Sequence, residues 1–166
     1  MIFPYQTIHH QACKQIFDSN TPPYFDETEA PALTLWLKAK DEGRLAYASN
    51  LAEYFFVLYE NDNVVACAGY YVTPHEMKAN LVWGMVDRQN HGRGYGTELM
   101  NFRIAHIREH YPQHTIILDT SQYCFLFFEK LGFEVKGIVE NGYAKGLHRY
   151  DMVLSPKPDS YHRGQG

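Results

Sequence analysis

Residues 86–100 read VDRQNHGRGYGTELM, and this stretch decides the fold. An apolar strand ends at Val86, and the chain turns through His91, Gly92, Arg93, Gly94, Tyr95 and Gly96. A helix then opens with Thr97 and Glu98 in its first turn. Three glycines in residues 92–96 let the backbone bend tightly and approach a ligand without Cβ atoms in the way. The unpaired N–H groups of a helix start point outward at the positive end of its dipole, a setting that suits phosphate. Arg88 and Arg93 add positive charge, so pyrophosphate is the natural guest. The plain alternative is a glycine-rich turn with no ligand. A dinucleotide-binding GxGxxG turn needs a different spacing and a parallel βαβ unit. The P-loop string GxxxxGK(S/T) does not occur in the chain.

Working back from this turn, residues 54–59, 64–72 and 79–86 are three β-forming runs separated by Glu60-Asn61-Asp62-Asn63 and by Pro74-His75. Short turns between adjacent strands imply an antiparallel meander. Upstream lie a predicted strand at 3–9, a helix at 11–17 and the turn-rich SNTPPYF at 19–25. A second helix begins near Thr28 as cap, carries Leu33, Trp36, Leu37 and Lys40 at helical spacing, and stops at Gly43. Downstream, Met100, Ile104 and Ile107 form one helical stripe that Pro112 ends. A strand at 115–118, a helix at 121–131 capped by Ser121 and stopped by Gly132, and strands at 133–139 and 149–154 follow. The order is βααβββαβαββ, a mixed sheet covered by helices. Residues 1–154 read as one domain, and 155–166 (SPKPDSYHRGQG) as a polar tail, with a partner-docking strand as its alternative.

The chain has 166 residues, 45% hydrophobic and 20% charged, the balance of an ordinary globular protein. A net charge of −4 argues against nucleic acid as the main partner. Cys13, Cys67 and Cys124 are far apart and odd in number, which reads as three reduced thiols rather than a disulfide framework or zinc site. The start, MIFPYQTIHH, lacks the layout of a signal peptide, and no apolar run approaches the ~20 residues of a membrane span. The expectation is a cytoplasmic protein without a membrane partner.

The turn resembles motif A of the GNAT superfamily of N-acetyltransferases, Gln/Arg-x-x-Gly-x-Gly/Ala between a strand and a helix. His91 stands where Gln or Arg is usual. TSQYCFLFFEKLGF at 120–133 resembles motif B, with Ser121 at the Asn position, Cys124 at the small-residue position and Phe128 at the Tyr position. The resemblance covers about residues 3–154. It implies an α/β (α+β) fold with a mixed, mostly antiparallel sheet of about seven strands flanked by four helices. It also implies acetyl-CoA as cosubstrate, with the pyrophosphate on the amides of His91, Gly92, Arg93, Gly94, Tyr95, Gly96 and Thr97. The strand ending at Val86 would splay from the strand at 115–118, so that backbone at Met85 and Val86 pairs with the pantetheine arm; Ser121 and Phe128 would border it.

Amine attack on a thioester needs a neutral amine, donors for the developing oxyanion and a fate for the thiolate. Phe128 replaces the family's frequent general acid and cannot donate a proton. Asn80 falls where one branch carries a catalytic Glu, and an amide can only orient a water. Glu76, four residues earlier, is a substitute base, with an exposed strand-start carboxylate as its alternative reading. Tyr123, Tyr143 and Tyr150 are substitute donors, each readable as a packing aromatic.

His106-Ile107-Arg108-Glu109-His110 matches the HxxEH string, but zinc also needs a third ligand and an open pocket, so the expectation is a solvated helix end and no metal. His9 and His10 read as surface residues at a strand end. Asp26, Glu27 and Glu29 beside PPYF form an acidic, aromatic rim suited to a cationic amine; acidic residues also simply favour helix starts. The function expected is acetyl transfer to a primary amine of a small molecule or peptide. The alternative is a non-catalytic acyl-CoA sensor or docking module. A homodimer is the commonest assembly when such proteins associate.

Overall fold

The computed structural model describes residues 1–158; the tail from 159 onward lies outside the described residues. Seven strands form one sheet: β1 Ile2–Pro4, β2 Ala52–Glu60, β3 Asn63–Thr73, β4 Lys78–Val86, β5 Thr115–Thr120, β6 Glu134–Ala144 and β7 Leu147–Leu154. Four helices accompany it: α1 His10–Ser19, α2 Ala30–Asp41, α3 Tyr95–His110 and α4 Phe125–Lys130. The strand order is β1-β2-β3-β4-β5-β7-β6, antiparallel throughout except for the β4–β5 pair. The fold is the mixed, mostly antiparallel seven-stranded sheet with four helices that the sequence implied.

Alternation along β2 and β3 divides the interior. Phe55, Val57 and Cys67 face Cys13, Ile16 and Phe17 of α1 and Leu33, Trp36 and Leu37 of α2. Phe56, Leu58, Ala66, Ala68 and Tyr70 face Leu99, Met100 and Ile107 of α3. A period of two in the strands thus meets helical stripes on both sides of the sheet.

Several boundaries differ from the sequence reading, each for a local reason. The first strand ends at Pro4, and residues 7–9 form a 3-10 turn closed by Gln6 N–H on His9 Nδ1 at 2.9 Å. His9 is buried rather than superficial, with Nε2 2.8 Å from the Tyr59 hydroxyl, and His10 Nδ1 lies 2.6 Å from Asp41. The cap before α2 is Asp26, not Thr28. Its carboxylate accepts the Thr28 N–H at 2.9 Å, and Glu29 reaches back to the Asp26 N–H at 2.8 Å, a capping box. Strand β6 runs on to Ala144, past an irregularity at Asn141 (φ 54°), and turns to β7 at once. His106 bonds to the Tyr70 hydroxyl, and His110 stacks on His106 with centroids 4.2 Å apart. No described helix is long and apolar enough to cross a membrane.

Glu53 anchors the connection between α2 and β2. Its side chain is fully buried and accepts from Lys40 Nζ at 2.6 Å, Ala46 N–H at 2.6 Å, Tyr47 N–H at 3.1 Å and Asn50 at 2.8 Å. Burial alone would raise its pKa, but these donors hold it below the ordinary value. A depressed folded pKa contributes stability above the unfolded pKa and loses it as pH falls through the folded one. Glu53→Gln should therefore cost about 3 kcal/mol at pH 7 by leaving Lys40 unpaired. In urea titrations the gap between wild type and variant should narrow steadily on acidification.

Candidate active site

The β4–β5 ladder pairs Lys78 with Thr115, Ala79 with Ile116 and Asn80 with Ile117, and then stops. Beyond Asn80 the strands part, and β4 runs on to Val86 with its edge open. The gap is the spine of a cleft of about 910 Å³, running from the turn before α3 to side chains of α2, β3, β5 and β6.

At one end, Gly94 caps α3 with φ 86° and Gly92 has φ 78°. Both conformations favour glycine, and a Cβ at either would meet open space, so the turn presents bare backbone to the cleft. Gly92, Gly94, Tyr95, Gly96 and Thr97 line this end beside the start of a 16-residue helix. An extended pyrophosphate fits such a start: free amides, the positive dipole end and no obstructing side chain. His91, in place of the usual Gln or Arg, sets its Nε2 2.9 Å from the Val86 carbonyl and lies edge-on to Tyr24. Arg88 donates to the Pro22 carbonyl at 3.1 Å and lies over the Tyr24 ring.

The remaining cofactor candidates divide. Met85, Val86 and Phe128 line the cleft, but the Val86 carbonyl already accepts Asn20 Nδ2 at 2.8 Å as well as His91. That corrects its expected role: the free edge of β4 is Trp83 to Met85, while Val86 clasps the turn. Ser121 is also corrected. It is buried, its Oγ accepts the Tyr123 N–H at 3.3 Å, and α4 begins four residues later at Phe125, so it shapes the bend rather than bordering the cleft. Arg93 stands exposed on the outer side of the turn.

Of the expected chemical groups, Tyr123 lines the cleft, 55% exposed. Glu76 does not: it sits exposed in the β3–β4 hairpin, 3.8 Å from Lys78 and 3.5 Å from Thr73. Asn80 turns its amide toward the Tyr71 carbonyl at 3.4 Å, and Tyr150 stacks on Phe125 at 4.4 Å. These three positions are corrected as members of the cleft wall.

The structure supplies other groups at the inner end. Asp119 of β5, Glu29 at the entry to α2, Tyr71 of β3 and Tyr143 of β6 line it together. Asp119 keeps an exposed side toward the cleft, but the protein packed around it raises its pKa, with Asp151 adding to the rise and the Tyr143 hydroxyl and the charge of Arg149 opposing it. Burial also raises Glu29, with the Asp26 N–H opposing and the Asp119 charge adding to the rise. Tyr143 is pushed well above its ordinary value by burial and by Asp119, which accepts its hydrogen bond. A carboxylate held above its usual range is a stronger proton acceptor than an ordinary one, and Asp119 is the cleft carboxylate placed beside Tyr143. Asp119 was missed because a single carboxylate after Ile116-Ile117-Leu118 looks like a strand end; its setting is made by residues 90 positions upstream and 24 downstream.

Residues 10–133 match the acetyltransferase (GNAT) family. No curated protein matches the sequence. Among solved structures, the fold is similar to a putative GNAT acetyltransferase from Desulfovibrio desulfuricans (18% identity, 93% of this chain and 98% of that one, TM-score 0.76). It is similar to the ribosomal-protein-alanine N-acetyltransferase of Brucella melitensis (20% identity, 93% and 99%, TM-score 0.71). An aminoglycoside 6'-N-acetyltransferase complexed with coenzyme A also resembles it (16% identity, 96% and 99%, TM-score 0.68).

Gly94→Glu places bulk and negative charge in the phosphate turn. Saturating acetyl-CoA at ~100 times its Kd should add ~2.7 kcal/mol to the wild type, a rise of about 5–10 °C in Tm, and should leave the variant unmoved. Thermal unfolding of both proteins with and without acetyl-CoA checks this. A turn built around bare left-handed glycines, a strand edge opened beside it and a family match over residues 10–133 lead to one conclusion: the chain belongs to the GNAT acetyltransferase family.

Proposed function

We propose that the protein transfers the acetyl group of acetyl-CoA to a primary amine of a small cationic molecule or peptide, with Asp119 as the proton acceptor. The observation that carries this reading is the cleft itself, which joins the phosphate turn to the Asp119–Tyr143 pair along the free edge of β4.

Acetyl-CoA, when bound, supplies an acyl carbon already activated as a thioester. The turn at 92–97 would hold its pyrophosphate, and the β4 edge from Trp83 to Met85 would align the arm and hold the carbonyl. An amine arrives protonated, and Glu29, Asp119 and the faces of Tyr47 and Tyr71 favour a cation at the inner end. Asp119 takes one proton from the ammonium and frees the nitrogen lone pair. The nitrogen attacks the acyl carbon, the C–N bond forms, the C–S bond breaks, the sulfur leaves with the electron pair, and the second nitrogen proton passes to water at the open end of the cleft, leaving the neutral amide. Phe128 offers the sulfur no proton, but a thiol of pKa near ~8.5 leaves tolerably as the thiolate. Tyr123 lines the cleft with its side open to water at the mouth.

Thiol release with a panel of diamines, aminoglycosides, amino acids and short peptides tests the reading. At least one cationic amine should turn over; acetyl-CoA binding with no amine consumed would favour the acyl-CoA sensor instead. Asp119→Asn should lower kcat by about 10²–10³-fold. Wild-type kcat/KM should rise with pH through a limb above the usual carboxylate range, because the group must be ionised to act; the variant should lack that limb.

A further inference from the structure

Strand β4 carries an extra residue against β3. Cys67 pairs with Met85 and Gly69 with Val82, so that Trp83 and Gly84 together oppose Ala68. This is a β-bulge at the free edge of the cleft. Trp83 takes φ 52°, a left-handed conformation costly for a bulky residue, and Phe17 and Phe25 hold its ring at 6.3 and 6.2 Å.

Directly behind the bulge lies Arg103, from the third turn of α3. It is 4% exposed and has no ion-pair partner among the described residues. Its Nη1 donates to the Gly69 carbonyl at 3.0 Å, its Nη2 meets only the Met100 sulfur at 3.8 Å, and its Nε is unpartnered. The guanidinium presses on Gly84 from the interior: a Cβ there would stand 3.0 Å from Nη2. Burial lowers the Arg103 pKa to about 10, with Cys67 opposing, so the group stays charged at neutral pH. Burying a cation without a carboxylate is expensive, and an apolar side chain would fill the site more stably. A single carbonyl hydrogen bond does not account for it.

We propose that Arg103 is a positioning residue for acyl transfer: it props the β4 bulge against Gly69 and sets a fixed positive charge behind Gly84, where the thioester oxygen gains negative charge. Arg103 reaches the floor of the cleft beside Gly84 and Met85, and its charge acts on the acyl group across that backbone. A preorganised field of this kind favours the charge-separated state over the resting ester. It also explains why glycine occupies position 84, since any side chain would displace the guanidinium.

This inference rests on acetyl-CoA being the donor, and its test needs no acceptor, so a wrong amine shows as absent thiol release from wild type and leaves the test readable. Difference infrared spectra of bound [1-13C]acetyl-CoA report the polarisation of its carbonyl. In wild type the carbonyl stretch should fall below that of free acetyl-CoA; in Arg103→Met it should return toward the free position while the acetyl-CoA-induced rise in Tm persists. With a cognate amine, Arg103→Met should lower kcat about tenfold or more and leave KM for acetyl-CoA nearly unchanged, and Arg103→Lys should recover part of the loss. Should Arg103→Met fail to fold, Gly84→Ala shifts the guanidinium with the charge retained and should move the carbonyl band in the same direction. Identical carbonyl bands in wild type and a folded, acetyl-CoA-binding Arg103→Met would overturn the proposal. So would a preference of wild type for malonyl-CoA that Arg103→Met abolishes, since the guanidinium would then serve a carboxylate on the acyl chain.

Discussion

The ladder between β4 and β5 closes over three residue pairs and then opens, and most of the molecule's working geometry depends on that break. A parallel pair continued to Val86 would satisfy the β4 edge and leave no room for a ligand. The first turns of α3 line the same cleft as the parted ends of β4 and β5. The helix therefore has its positive end at the mouth of the gap, and its buried residues Leu99, Met100 and Arg103 beneath it. The open edge is kept from collapsing by the bulge at Trp83 and Gly84, by the aromatic packing of Phe17 and Phe25 on Trp83, and by the Asn20 and His91 bonds to Val86. Unpaired backbone here is a binding edge supported from both faces of the sheet.

What the sequence disclosed was what depends on neighbours in the chain. The glycine turn, the meander before it and the helix after it were readable because positive φ, strand alternation and helical spacing are local properties. Gly132 as the stop of the last helix was readable for the same reason, and has φ 98°. Ser121 misled because a hydroxyl before an apolar run looks like a cap, whereas the chain takes one more turn before α4 begins. The β6–β7 hairpin was read short because Asn141-Gly142 has the look of a turn but is a kink inside a strand.

The chemistry was less legible, since it arises where distant segments meet. Glu29 reads as a helix-start carboxylate and is one: it closes the capping box with Asp26, and that bond also holds it at the cleft wall. Asp119 is raised by its enclosure in the wall and by Asp151, against Tyr143 and Arg149, and in turn raises Glu29; only the sheet order brings these segments together. Arg103 sits in a helical stripe where a sequence reader expects a solvated cation; the bulge it fills is invisible without the β3–β4 register. Glu76 and Asn80 were sought by their place along the strand, yet the ladder is still closed at that level and offers no cavity.

Amide hydrogen exchange with and without saturating acetyl-CoA tests the central claim, that the opened β4 edge and the turn before α3 form one binding surface. The account predicts slowed exchange concentrated at residues 83–86 and 92–97, at both ends of the same cleft, with β1 and β2 little changed. Protection absent from these two segments, or gathered instead on the outer face of α2 around Lys38 and Arg44, would contradict it.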